Sequence, residues 1–111
     1  MLSRILVPLD GSILADRVIL HVRRLLVRED AEVLLFRVLE GPSQTRPKVV
    51  QEMERGFAAT HLEDQRRRLD EQGARVRSEV AEGDPADEIL KRCETWRPSL
   101  LAMSTHGRTG L

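Results

Sequence analysis

The feature that most constrains this chain is an alternation between continuous apolar runs and amphipathic segments. Apolar residues fill nearly every position, rather than every second position, of Ile5–Leu9, Val33–Leu39 and Leu100–Met103. Such runs are typical of strands that are covered on both faces, as in a parallel sheet. A more polar run, Val76–Ala81, alternates and therefore predicts an exposed strand at a sheet edge.

Helical patterns separate these strands. The first helix follows Ser12, a predicted N-cap, and its apolar stripe is Ala15, Val18, Ile19, Val22, Leu25 and Leu26. The second runs from about Lys48 to Gln72, and we assign its apolar side to Val50, Met53, Phe57, Leu62 and Leu69. The third starts at Asp84 and Pro85, and its predicted buried stripe is Ala86, Ile89, Leu90 and Cys93.

This β-α-β-α-β-α-β order predicts an α/β fold, an open, doubly wound parallel sheet with right-handed crossovers. In such sheets, ligands bind beyond the carboxyl ends of the strands where the strand order reverses. With the strand order 3-2-1-4, the ends of strands 1 and 4 are neighbours at that point. The loops after these two strands would then form one crevice.

Composition narrows the classes of function. The chain has 111 residues, which suits one domain, and 18 basic residues balance 18 acidic ones. Zero net charge and 3% aromatic residues give no indication of a nucleic-acid partner. No apolar run approaches the roughly 20 residues of a membrane span, and no signal-peptide pattern opens the chain. With a single cysteine as well, we expect a cytoplasmic protein.

The segment after the fourth strand has the composition of an anion-binding loop. Gly107 and Gly110 allow backbone amides to approach an anion, and Arg108 adds a charged donor fork. Hydroxyl donors come from Ser104, Thr105 and Thr109. The segment is neither a Walker A loop nor a dinucleotide fingerprint. It predicts a phosphate site facing Asp10, which ends the first strand.

Three segments resemble the universal stress protein family in the same order and at similar separations. They are Ile5–Ser12, Gly83–Ala86 and Met103–Gly110. The resemblance implies an adenine-nucleotide alpha hydrolase-like (Rossmann-like) sheet of order 3-2-1-4-5. It also implies ATP binding, homodimers and a role in survival under stress, usually without an established catalytic reaction.

The resemblance also implies roles for individual residues. Asp10 would contact the nucleoside at the strand end that contains Pro8, and the backbone of Val38 would contact adenine. Met103 would close the strand before the phosphate loop. The implied phosphate-binding residues are Ser104, Gly107, Arg108 and Gly110, and Mg²⁺ could accompany the phosphates.

One departure from the family pattern concerns the phosphate loop itself. The pattern is Gly, two residues, Gly, nine residues, then Gly followed by Ser or Thr. Gly107 matches the second Gly, Ser104 replaces the first, and the final pair would follow Leu111. We therefore expect residues 1–111 to be a single domain of the family that lacks the last helix and the fifth strand.

Three functions remain open at this point. The first is a stress-response protein that binds ATP as a ligand or switch. The second is a nucleotide-free dimerisation module of the same fold, and the third is an enzyme such as a nucleotidyl transferase or slow ATPase. No further phosphate motif favours a transferase, so we expect a non-enzyme.

For several candidate residues, a simple structural role is an alternative to a functional one. Asp10 could act only as a turn residue. His106 has no carboxylate or nucleophile nearby in sequence, so a catalytic role is not expected, and the histidine spacing predicts no metal site. We predict a core position for Cys93, and likewise for Met53 and Phe57.

Overall fold

The structure is a computed structural model that describes residues 3–27, 30–41, 46–70 and 75–104. The elements follow the alternating order that the sequence predicts. The strands are β1 (Arg4–Pro8), β2 (Glu32–Leu39), β3 (Arg75–Glu82) and β4 (Leu100–Leu101). The helices are α1 (Ile13–Asp16), α2 (Val18–Leu26), α3 (Lys48–Asp70) and α4 (Pro85–Trp96).

The described strands form a parallel sheet in the order β3-β2-β1-β4, which confirms the predicted fold class and strand order. β1 pairs with β2 from Arg4 opposite Glu32 to Pro8 opposite Phe36. On its other side, β1 pairs with β4 through Ile5 and Leu6. The order reverses between β1 and β4, so the carboxyl ends of these two strands are adjacent.

Alternate residues of the central strands pack on opposite faces of the sheet. On one face, Ile5, Val7, Val33 and Leu35 are buried against α1, α2 and α3. On the other face, a smaller cluster of Leu6, Leu34 and Phe36 packs against Ile89, Cys93 and Trp96 of α4. Covering helices on both faces explain why these strands are apolar at consecutive positions.

The predicted caps form as expected. The Ser12 side chain accepts a hydrogen bond of 3.0 Å from the Ala15 amide at the start of α1. The Asp84 side chain accepts one of 3.0 Å from the Asp87 amide, and Pro85 occupies the first turn of α4. Arg97 then ends α4 in the left-handed conformation, with φ of 52°. These caps start α1 and α4 shortly after the ends of β1 and β3.

The predicted apolar side of α3 is wrong in its first half. Met53 and Phe57 are 54% and 69% exposed, and Val50 is also exposed, whereas Leu62 and Leu69 are buried as predicted. Met53 and Leu62 are nine residues apart, or about two and a half turns, so they lie on opposite sides of the helix. The stripe that faces the sheet instead consists of Ala58, Leu62, Gln65 and Leu69.

Smaller corrections apply to the other segments. Ala86 and Leu90 are exposed, because the face of α4 that contacts the sheet is formed by Ile89, Cys93 and Trp96. Cys93 is partly buried beside that cluster, as expected of a thiol that packs against the core. The first predicted helix is divided into α1 and α2 by a turn at Arg17.

Candidate functional site

A cavity of about 700 Å³ opens at the carboxyl ends of the strands, where the strand order reverses. It collects five of the residues that we assigned to the nucleotide site from the sequence. They are Pro8, Asp10, Val38, Met103 and Ser104. The topology brings these residues together from β1, β2 and the segment after β4, although they are distant in sequence. The other three assigned residues, Gly107, Arg108 and Gly110, lie outside the described residues.

Asp10 lies in a tight turn at the mouth of the cavity. Its Oδ1 accepts a hydrogen bond of 2.8 Å from the Ser12 amide. Gly11, between them, has φ of 87°, a conformation that favours glycine. The turn holds the exposed carboxylate in place, so Asp10 serves the turn and remains accessible from the cavity at the same time.

The neighbouring strands form the two walls beside Asp10. The Leu9 amide donates to the Phe36 carbonyl at 2.8 Å, which continues the β1–β2 pairing to the cavity edge. The next residues of β2, Arg37 and Val38, line the cavity. On the other wall, the Ala102 amide donates to the Leu6 carbonyl at 2.9 Å and leads the chain to Met103 and Ser104.

Four charged residues that we did not assign to the site from the sequence also line the cavity. Arg46 and Glu54 form an ion pair at 2.9 Å, and Arg46 also donates to the Glu40 carbonyl at 3.2 Å. Arg37 extends from β2, and Glu40 follows that strand. Arg37 was detectable in principle, since it is a charged residue within an apolar strand. Arg46 was not, because only the tertiary structure brings this residue to the cavity.

The start of α4 contributes a further part of the lining. Pro85 and Ile89 reach the cavity from the face of the sheet that α4 covers. The Gly83 amide donates to the Leu39 carbonyl at 3.0 Å, which anchors the turn before α4 to the end of β2. The turn therefore places Pro85, the first residue of α4, at the edge of the cavity.

The described residues contain neither a candidate metal cluster nor a candidate membrane span. In those ranges, no three His, Cys, Asp or Glu side chains are grouped so that they could hold a metal ion. Within the same ranges, no helix has both the length and the apolar character required to cross a membrane. His61 forms its hydrogen bond with the Asp16 carboxylate at 2.9 Å, so it links α3 to α1.

Comparison with known proteins identifies the family. The universal stress protein family matches residues 1–111. The chain belongs to the universal stress protein family. The match agrees with the order of the sequence segments that carry the resemblance.

This chain is also similar to individual proteins, in sequence and in structure. Universal stress protein MJ0531 of Methanocaldococcus jannaschii is 27% identical over 115 residues, covering 98% of this chain and 68% of that protein. The structure of the hypothetical protein MJ0577 has a TM-score of 0.84 and 26% identity, covering 100% of this chain and 80% of its own. A family protein from Arabidopsis thaliana with AMP bound has a TM-score of 0.72 and 20% identity, covering 96% and 78% respectively.

Proposed function

We propose that this universal stress protein binds an adenine nucleotide, ATP, in the cavity between β1 and β4 as a ligand or slow switch in a stress response. The observation that carries the proposal is the convergence of Pro8, Asp10, Val38, Met103 and Ser104 on one cavity. Its volume of about 700 Å³ falls within the range of small-molecule sites. The AMP bound to the Arabidopsis thaliana protein of the same fold supports the ligand class.

Three of the lining residues have a chemical role in this proposal. The Asp10 carboxylate accepts hydrogen bonds from ribose hydroxyls, and the backbone of Val38 contacts the adenine edge. The Ser104 amide and hydroxyl begin the phosphate site, which continues through Gly107, Arg108 and Gly110. Mg²⁺ would neutralise charge on the phosphates. We propose that ATP is a ligand rather than a substrate.

Isothermal titration calorimetry with ATP tests this function directly. Asp10→Asn retains an oxygen that can accept from the Ser12 amide, so the turn is preserved while the carboxylate charge is lost. We expect about tenfold or greater loss of ATP affinity, since hydrogen bonds to a charged group contribute roughly 1.5–3 kcal/mol. Asp64→Asn, an exposed carboxylate of α3 outside the cavity lining, is the matched control and should leave the affinity unchanged.

If millimolar ATP gives neither binding heat nor an increase in Tm, the chain does not bind the nucleotide, because a ligand of the native state must raise its stability. Equal loss of affinity in the Asp10 and Asp64 variants would show a general charge effect and would also exclude the assigned site.

A nucleotide-free dimerisation module is the second candidate function. Among the described strands, β4 pairs only with β1, and its Leu101 is 39% exposed. An open edge of this kind can pair with a second copy. A dimer in sedimentation experiments, together with absent ATP binding, would favour this candidate over the first.

A further inference from the structure

The cavity contains an arginine, Arg37, on the side opposite Ser104. Arg37 belongs to β2, whereas Ser104 follows β4, and β1 lies between these strands in the sheet. Both residues line the cavity. A ligand that spans the end of β1 would therefore meet Ser104 at one end and Arg37 at the other.

The Arg37 guanidinium occupies the space beside Gly11 where a side chain would begin. A Cβ placed on Gly11 would be 2.8 Å from Arg37 Nη1 and 3.2 Å from both Cζ and Nη2. The end of the Arg37 side chain therefore lies beside the turn that presents Asp10.

Arg37 differs from the other cavity arginine in its partners. Arg46 is 2.9 Å from Glu54, so its charge is compensated within the protein. No carboxylate in the described ranges forms an ion pair with Arg37, which is half-buried. A guanidinium that has lost part of its hydration without an anionic partner is well suited to bind an anionic ligand group.

The position of Arg37 indicates which part of a nucleotide carries that group. Asp10, the proposed ribose contact, is next in sequence to Gly11, so Arg37 lies on the ribose side of the site. The 5′-phosphates would extend the other way, toward Ser104. In dinucleotide-binding folds, an acidic residue contacts the ribose hydroxyls, and a nearby arginine accommodates a phosphate on the ribose.

We propose that Arg37 binds a phosphate ester on the 2′ or 3′ oxygen of the ribose, so that the site prefers adenine nucleotides phosphorylated on both sides of the sugar. This inference rests on the proposed nucleotide function and specifies its ligand class. Arg37 is the specificity-determining residue, and Gly11 positions it.

Calorimetry with three isomers tests the preference on the full chain. ADP, adenosine 2′,5′-bisphosphate and adenosine 3′,5′-bisphosphate carry the same base and the same number of phosphates, so they differ in phosphate placement and in the ionic charge that follows from it. We expect one bisphosphate to bind about tenfold or more tightly than ADP, as a charge-assisted contact implies. The tighter isomer identifies which ribose oxygen carries the ester.

Three variants assign that preference to the arginine. Arg37→Gln should abolish the preference by lowering bisphosphate affinity to that of ADP, whereas Arg37→Lys should retain part of the preference, because the charge remains and the fork is lost. Lys48→Gln removes an exposed cation of α3 that does not line the cavity and should retain the full preference. Retained ADP binding shows that each variant is folded.

The same measurements distinguish a failure of the role of Arg37 from a failure of the nucleotide function. Equal affinity for ADP and both bisphosphates, or a preference that persists in both Arg37 variants, would overturn the role of Arg37 while the nucleotide function stands. If ATP, ADP and the bisphosphates all fail to bind the unmodified protein, the nucleotide function itself is wrong and this inference falls with it.

Discussion

Gly11 and Gly56 show how different two glycines can be within one chain. Gly11 has φ of 87°, which strains any other residue, and a side chain there would also displace the end of Arg37. Gly56 is inside α3, and a Cβ added there would meet nothing within 4 Å. The first glycine is required by the structure, whereas the second only adds conformational freedom to the unfolded chain.

We therefore predict opposite effects for the same substitution at these two residues. Gly11→Ala should lower the free energy of unfolding by about 1–3 kcal/mol, from strain at positive φ and displacement of Arg37. Gly56→Ala should raise it by roughly 0.5–1 kcal/mol through helix propensity. Urea denaturation measures both values, and a stabilising Gly11→Ala variant would contradict the described turn.

At the scale of elements, α3 changes its character along its length. Its second half packs on the sheet through Leu62 and Leu69, and Arg66 on its polar side donates to Glu63 at 2.6 Å. This hydrogen bond holds the pKa of the Glu63 carboxyl below its ordinary value. The first half instead exposes Met53 and Phe57. The stability that α3 contributes should therefore come mainly from its second half.

Alanine substitutions in the two halves of α3 test this division. Leu62→Ala removes a fully buried side chain and should destabilise the protein by about 2–5 kcal/mol. Phe57→Ala should change the free energy of unfolding by less than about 0.5 kcal/mol, because the ring is 69% exposed. If chemical denaturation gives similar losses for both variants, Phe57 is covered in solution and the assigned exposure is wrong.

At the scale of the whole molecule, stability is concentrated in the middle of the sheet. β1 and β2 each pair on both sides, and their central residues are 0–1% exposed. Among the described strands, β3 lies at one edge and has no fully buried residue. Local openings of the structure should therefore expose β3 before they expose the central strands.

Native-state hydrogen exchange should reproduce this gradient. Amides of Ile5–Val7 and Val33–Leu35 should exchange only through global unfolding, with a free energy equal to that from denaturation. Amides of β3 should exchange at least about tenfold faster, because half of them point away from β2. Uniform protection across all strands would show that the edge of β3 is covered in solution.

Local sequence patterns predicted much of the fold and part of the site. Runs such as Val33–Leu39 and the cap at Asp84 depend on neighbouring residues, so strand types, caps and the α/β class followed from them. The assignment of Met53 and Phe57 to the core failed because apolar character alone does not specify which side of a long helix faces the sheet. In the candidate site, the residues found at strand ends were those with recognisable turn or loop chemistry, such as Asp10 and Ser104.

The sequence by itself determined the order of strands and helices along the chain, the N-caps of α1 and α4, and the family to which the chain belongs. These properties depend on periodicity and on short motifs, which act over a few neighbouring residues. Only the tertiary structure decided that Arg37 lies over Gly11, that Arg46 pairs with Glu54, and that Pro85 reaches the same cavity as Asp10. Those contacts join residues that are distant in the chain, and the packing of the helices on the twisted sheet determines their geometry.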